Sequence, residues 1–118
     1  MIDMRKRIVE IISEATKLNC YYISAPKDAE LPCVVYNEVN NTDYLLALNN
    51  EYANLAYTFT VYVKNPREIF ETVYSIDEIM KQEGFTKDYS SQDMYADGVY
   101  SKTLRFKAIV NNKGKIFN

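Results

Sequence analysis

Histidine and tryptophan are absent from this chain of 118 residues, which also has only 3 Gly and 3 Pro. Without histidine there is no Ser-His-Asp triad, no Cys-His dyad and no imidazole general base or metal ligand. Three glycines are too few for a phosphate-binding glycine-rich loop. A carboxylate-bound Mg²⁺ stays open, although the sequence has no DxD or DxDxDG pattern. We therefore expect a protein that is not an enzyme, with no catalytic residues, cofactor or metal.

Long apolar runs and an excess of basic charge are missing as well. No stretch approaches the ~18 apolar residues of a membrane span. The net charge of −2 and the pI near 5.2 argue against broad nucleic-acid binding. The basic cluster at residues 5–7 is followed by Glu10 and Glu14, which interrupt the apolar core that a signal peptide needs. We expect the protein to remain in the compartment where it is made.

The chain has two cysteines, Cys20 and Cys33. Their spacing fits neither a CxxC redox motif nor a zinc framework. A disulfide between them is geometrically possible, but a reducing compartment favours two free thiols that act as small, half-buried apolar side chains.

The pattern of apolar residues predicts a single α+β domain over residues 1–118, with a mobile tail at 111–118. Two helices pack on one face of a mostly antiparallel β-sheet, in the order α-β-β-β-α-β-β. Helical periodicity covers residues 3–18. The predicted strands and extended segments are Cys20–Ser24, Cys33–Val39, Thr42–Leu48 (a hairpin arm or a loop), Tyr52–Lys64, Phe85–Tyr95 and Val99–Val110.

The clearest strand is Tyr52–Lys64. Apolar residues at 55, 57, 59, 61 and 63 alternate with small or hydroxyl-bearing ones, which predicts one face against the helices and one polar face. At ~3.3 Å per residue the strand exceeds 40 Å, so it projects past the core or bends. The turn-prone pair Asn40-Asn41 marks the predicted end of the preceding strand.

The second helix carries the best local signals. Asn65 is a favoured N-cap, Pro66 suits the first helical position, and Glu68 follows as in a capping box. Gly84 suits the left-handed position after the helix, from which Phe85 folds back on the last turn. The predicted buried stripe is Ile69, Val73, Ile76 and Met80, with Phe70 beside it. Asp97-Gly98 predicts a tight hairpin before the last strand.

Charge is segregated along the chain. Residues 28–51 include five acids and no base, whereas residues 99–118 include five bases and no acid. Two interpretations stay open: ordinary solvated faces, or an acidic segment of one copy that meets the basic segment of a neighbour. The second interpretation gives candidate interface residues Glu38, Asp43, Glu51, Lys102, Arg105 and Lys107.

Tyrosine is unusually common, with 11 residues in the chain. Its ring is apolar and its hydroxyl needs a partner, so tyrosine is frequent in protein–protein contacts. We expect Tyr57 and Tyr100 to cap the core. Tyr62 lies on the polar face of the long strand and is a further interface candidate. Stacking of nucleic-acid bases on such a face is a minor alternative, given the low pI.

The order of these segments resembles the tail-terminator, or tail-completion, proteins of long-tailed bacteriophages and prophages. An amphipathic helix comes first, then the strand LPCVVYNE at 31–38 and the long strand YTFTVYV at 57–63. A helix opening at Asn65-Pro66, the Gly84-Phe85 pair and a closing hairpin complete the likeness, which covers most of the chain. It rests on the order of the elements.

The resemblance implies a structural role. Such proteins form a ring, typically hexameric, at the head-proximal end of the tail tube, where the ring stops tube growth and joins the head connector. DNA passes through the lumen without being read. The resemblance further implies assembly in the host cytoplasm and a final place in the virion tail. It supplies no catalytic residues.

Two other functions stay open. A head–tail connector or neck protein has a similar small α+β fold. A ligand-binding or regulatory domain is the alternative from a different class, and it requires a closed apolar pocket with a few polar groups.

Overall fold

The computed structural model describes residues 3–43, 52–111 and 116–117. Within these ranges the fold is α+β, as the sequence predicts, with two helices and a seven-stranded sheet. The elements are α1 (Arg5–Thr16), β1 (Cys20–Tyr22), β2 (Cys33–Asp43), β3 (Tyr52–Val63), α2 (Arg67–Gln82), β4 (Thr86–Ser90), β5 (Met94–Ala96), β6 (Val99–Asn111) and β7 (Ile116–Phe117).

The sheet is built around β3. Its strands run in the order β1-β2-β3-β6-β4, and the short strands β5 and β7 also pair with β6. The β1–β2 pair is parallel and the other pairs are antiparallel. β3 pairs with β6 from Tyr52 to Val63, which is its whole length. The molecule is 50 Å long and 22–23 Å in its other two dimensions, so the long strands set its length.

Side-chain alternation in β3 separates the two faces of the sheet, as predicted. Tyr57, Phe59, Val61 and their same-face neighbours are buried against the helices. The side opposite the helices, here called the far face, carries half-buried residues such as Thr58 and Thr60. On it the hydroxyls of Thr60 and Thr103 lie 2.9 Å apart, within hydrogen-bond distance. One face therefore holds the main core and the other is polar over the middle of β3.

The first helix is shorter than the sequence predicts. The Asp3 carboxylate accepts the backbone N–H and the guanidinium of Arg5, and this hydrogen bonding lowers the pKa of Asp3 to about 2. The helix stops at Thr16 because Lys17 takes a left-handed conformation with φ 60°. Ile8 and Ile12 are fully buried, as the periodicity requires.

The C-terminal end of α2 follows the local signals, and the N-terminal end follows them in part, because the helix begins at Arg67 and the Glu68 side chain forms no capping-box hydrogen bond with Asn65. The Asn65 side chain accepts the backbone N–H of Arg67 at 3.1 Å, and Pro66 already has helical backbone angles. Gly84 is left-handed with φ 89°. The N–H of Phe85 then donates to the carbonyl of Met80 at 2.9 Å, and that of Gly84 to Lys81 at 3.0 Å, which is the Schellman pattern.

The predicted place of Phe70 beside the buried stripe is wrong. Ile69, Ile76 and Met80 are buried and Val73 is half-buried, but the Phe70 side chain is 77% exposed. One residue is 100° of helical rotation, which carries Phe70 away from the side that Ile69 presents to the sheet.

The predicted end of β2 at Asn40-Asn41 is also wrong. β2 continues to Asp43, with a shift of register between Glu38 and Asn40. This bulge accommodates Val39, and pairing resumes at Asn40 opposite Ala56. Pairing with β3 therefore outweighs the local turn preference of two asparagines.

The last third of the chain is built on β6. The predicted Phe85–Tyr95 segment is two short strands, β4 and β5, joined through residues 91–93. Asp97 and Gly98 both have positive φ, as a type I′ hairpin turn requires, so that prediction is confirmed. In the predicted tail, Asn111 ends β6 and β7 pairs with β6. Residues 112–115 and 118 lie outside the described residues, as do 44–51, which include the rest of the Thr42–Leu48 prediction.

We predict that Gly84→Ala lowers the free energy of unfolding by about 1–2 kcal/mol, because an L-residue resists the left-handed conformation. Urea denaturation followed by circular dichroism measures the loss. Gln82→Ala, on the exposed side of the same helix, is the control and should change stability by less than about 0.5 kcal/mol. Equal stability of both variants and the wild type would contradict the capping role of Gly84.

Candidate functional site

The interface residues expected from charge and tyrosine content do not form one surface. In the register of β3 and β6, Thr58 lies opposite Arg105 and Ala56 opposite Lys107, so both bases are on the far face. Lys102 lies opposite Val61, on the helix-bearing face. Glu38 lies opposite Tyr57, on the helix-bearing face as well. Asp43 ends β2 opposite Ala53, and Glu51 lies outside the described residues.

Two of the candidate bases are paired within the chain. Arg105 donates through Nε to Asp88 of β4 at 2.9 Å, and this hydrogen bond raises the pKa of Arg105. Lys102 donates to Asp93 at 3.2 Å. Lys107 is exposed and has no ion-pair partner among residues 3–41 and 53–111. Acids from the β4–β5 region therefore offset much of the basic charge on β6, which the one-dimensional pattern does not reveal.

Glu38 has a partner inside the protein. The Tyr57 hydroxyl donates to its carboxylate at 2.9 Å, while the Tyr57 side chain itself is fully buried. Burial and this hydrogen bond raise the pKa of Tyr57. Tyr57 is thus a core residue, as predicted. Tyr100 is half-buried against the core, with its ring 4.7 Å from that of Tyr95.

Tyr62 lines a cleft on the far face, called here the far-face cleft. The cleft has a volume of about 510 Å³ and lies between residues 23–31 and the β5–β6 hairpin. Its sheet side includes Cys33 and Val35, which lie opposite Tyr62 and Thr60 in β3. Most of its other lining residues are apolar, so the cleft suits an apolar occupant.

A strained turn stands at the rim of this cleft. Ile23 has φ 71°, and the N–H of Ser24 donates to the carbonyl of Tyr22 at 2.8 Å, which makes a γ-turn of the rare hand. A β-branched residue in this conformation costs about 1–3 kcal/mol. The Ile23 side chain is nevertheless 63% exposed. Strain of this kind concentrates at functional sites, and here it places an apolar side chain beside an apolar cleft.

An exposed aromatic pair lies on the other side of the sheet. Phe70 and Tyr74 are one helical turn apart on α2 and stack with ring centroids 6.5 Å apart. Their side chains are 77% and 57% exposed. Isolated exposed aromatics are ordinary, whereas two adjacent ones on a rigid helix are a candidate contact surface. Each of the two directly follows a residue of the predicted buried stripe, Ile69 or Val73, so the 100° offset around the helix was the sequence signal for this exposed pair.

The two cysteines point to opposite faces. Cys20 pairs with Val34 in the parallel β1–β2 ladder and packs against the core, whereas Cys33 lines the far-face cleft. Both are free thiols, as the sequence analysis favoured. Burial raises the pKa of both, that of Cys20 to about 12. Thiols held in this way are protonated near neutral pH and are poor nucleophiles.

The described residues show no cluster of three or more His, Cys, Asp or Glu side chains able to hold a metal ion. Neither described helix is long and apolar enough to cross a membrane. No protein-family model matches the chain, and no curated protein matches it. Function is therefore inferred from the fold and its surfaces.

We predict that both thiols react slowly with iodoacetamide at pH 8 in the native state and rapidly in denaturant. Because the pKa of Cys20 is about 12 in the fold, its thiolate fraction at pH 8 falls roughly a hundred-fold or more. Mass spectrometry of timed reactions measures both rates. Fast native labelling, or a Cys20–Cys33 disulfide under non-reducing conditions, would contradict this placement.

Proposed function

We propose that this chain is a structural protein that assembles with copies of itself into a ring, as a tail terminator of a long-tailed phage or prophage. The observation that carries the proposal is that two unlike unpartnered surfaces lie on opposite sides of the sheet. The aromatic pair projects from the helix side and the far-face cleft opens on the other. Different surfaces on opposite sides suit head-to-tail contacts, which close into rings or extend as filaments.

The order of elements supports the same proposal. α1, the strand that follows Pro32, the long β3, the helix after Asn65-Pro66, the turn at Gly84 and the closing β5–β6 hairpin occur in the order on which the resemblance to tail terminators rests. In this proposal the ring forms in the host cytoplasm and caps the tail tube in the virion. Its partners are the tube protein and the head connector, and DNA only passes through its lumen.

The far-face cleft also supports a second candidate function. Its volume of about 510 Å³ falls within the range of pockets that enclose small molecules. A ligand-binding domain would hold its ligand in the cleft of one copy. A thermal-shift screen of apolar metabolites separates the two: a clear rise in melting temperature with a protein that stays monomeric favours the ligand site.

Adding the protein to an assay of tail-tube growth tests the tail-terminator role. Purified tail-tube subunits of a long-tailed phage or prophage are polymerised with increasing amounts of the chain, and tube lengths are measured by electron microscopy. A terminator shortens the tubes in proportion to its concentration and is found at one tube end. Unchanged tube lengths, with the protein absent from tube ends, would contradict this role and leave the connector as the alternative.

A further inference from the structure

We propose that the aromatic pair of one copy inserts into the far-face cleft of the next copy, so that copies associate head to tail. This inference deepens the proposed function, since it names the contact through which the ring would be built. The proposed occupant of the cleft is a second copy of this chain, and the element of that copy that enters the cleft is the outer face of α2.

The aromatic pair has the properties of a binding anchor. Phe70 and Tyr74 stand on a helix of 16 residues whose two ends are capped, so little conformational entropy is lost when they are buried. Given their exposed fractions of 77% and 57%, burial would remove roughly 200 to 300 Å² of surface. That is a quarter or more of the ~800 Å² that each partner contributes to a stable interface.

The far-face cleft has the matching chemistry. Ile23, Pro26, Leu31, Val35 and Val99 line it and supply apolar surface. Tyr62 adds a ring against which an aromatic side chain can pack at an angle. The cleft volume of about 510 Å³ lies within the range of pockets that bind drug-sized molecules. Two aromatic side chains are comparable in size to such a molecule.

Each of the two surfaces carries charged groups of both signs. On α2, Arg67 and Glu71 flank Phe70; in the cleft, Lys27 and Asp97 are the charged lining residues. All four are exposed, and none forms an ion pair within residues 3–41 and 53–111. One contact can therefore bring Glu71 toward Lys27 and Arg67 toward Asp97. Rim charges of this kind set orientation and association rate more than affinity.

The positions of the two surfaces rule out the simplest alternatives. The aromatic pair cannot reach the cleft of its own chain, because the sheet lies between them. A dimer with a two-fold axis would need the aromatic pair and the cleft of one copy to meet the same neighbour, which their positions on opposite sides of the sheet prevent. A contact from helix side to far side leaves one aromatic pair and one cleft unoccupied at the ends, so further copies add, and they form a ring where the rotation between neighbours closes and a filament where it does not.

Complementing variants test the inference. The pair variant, Phe70→Gln with Tyr74→Gln, removes the anchor and keeps good helix formers at two exposed positions. The cleft variant, Ala96→Arg, places a long charged side chain at an exposed residue that lines the cleft; Ala29→Arg is its second version. We expect each variant alone to be monomeric at concentrations ten-fold above those at which the wild type assembles. Tyr89→Ser, an exposed aromatic of β4 outside both surfaces, is the matched control.

An equimolar mixture of pair variant and cleft variant is the decisive sample. It retains one intact pair and one intact cleft, so sedimentation velocity should show one-to-one dimers and nothing larger. Melting temperatures within a few degrees of the wild type establish that the variants fold. Dimers in the mixture, with monomers in each separate sample, support the inference.

The experiments distinguish a wrong contact between copies from a wrong tail-terminator role. Variants that assemble like the wild type, or a mixture that restores full-size assemblies, overturn the contact but leave ring formation and tube capping standing. Assembly through this contact without any effect on tube growth overturns the tail role and supports the contact. A wild type that stays monomeric at all concentrations and salt levels overturns both.

Discussion

The pairing of β3 with a long strand on each side is the constraint on which the rest of the structure depends. Because side chains alternate along a strand, this pairing assigns every residue of β2, β3 and β6 to one of two faces. A shift of one residue would turn Tyr57 and Phe59 toward the far face and Thr58 and Thr60 into the core. Full-length pairing in one register therefore sets both the core and the surface available for contacts.

The charges illustrate how the fold changes the meaning of a sequence pattern. Along the chain, acids gather in the middle and bases at the end, which suggests contacts between copies. In the structure β6 lies beside β4, and Asp88 neutralises Arg105 within one molecule. Lys102 and Arg105 lie on opposite faces of the sheet, so the bases of this segment do not form one surface. Surfaces for assembly are better sought among groups that the chain leaves unpartnered.

Local signals predicted those parts of the fold that local physics decides. The α2 termini, the turn at Gly84, the hairpin at Asp97-Gly98 and the alternation of β3 follow from capping, positive φ and side-chain period. The continuation of β2 through Asn40-Asn41 depends on pairing with β3, which is distant in sequence, so the residues around this pair do not predict it. Most of the candidate site was missed for the same reason. The far-face cleft brings together residues 23–31, β2, β3 and the β5–β6 hairpin, and of its lining residues only Tyr62 was predicted as an interface residue.

The central claim is that the far-face cleft receives another copy of the chain, and hydrogen–deuterium exchange during assembly tests it most directly. Backbone amides of residues 24–31 and of the Asp97-Gly98 turn should exchange more slowly over the same concentration range in which the mass of the protein rises. Amides along the exposed edge of β4 should not change. Assembly without added protection at residues 24–31, or with protection confined to β4, would contradict the claim.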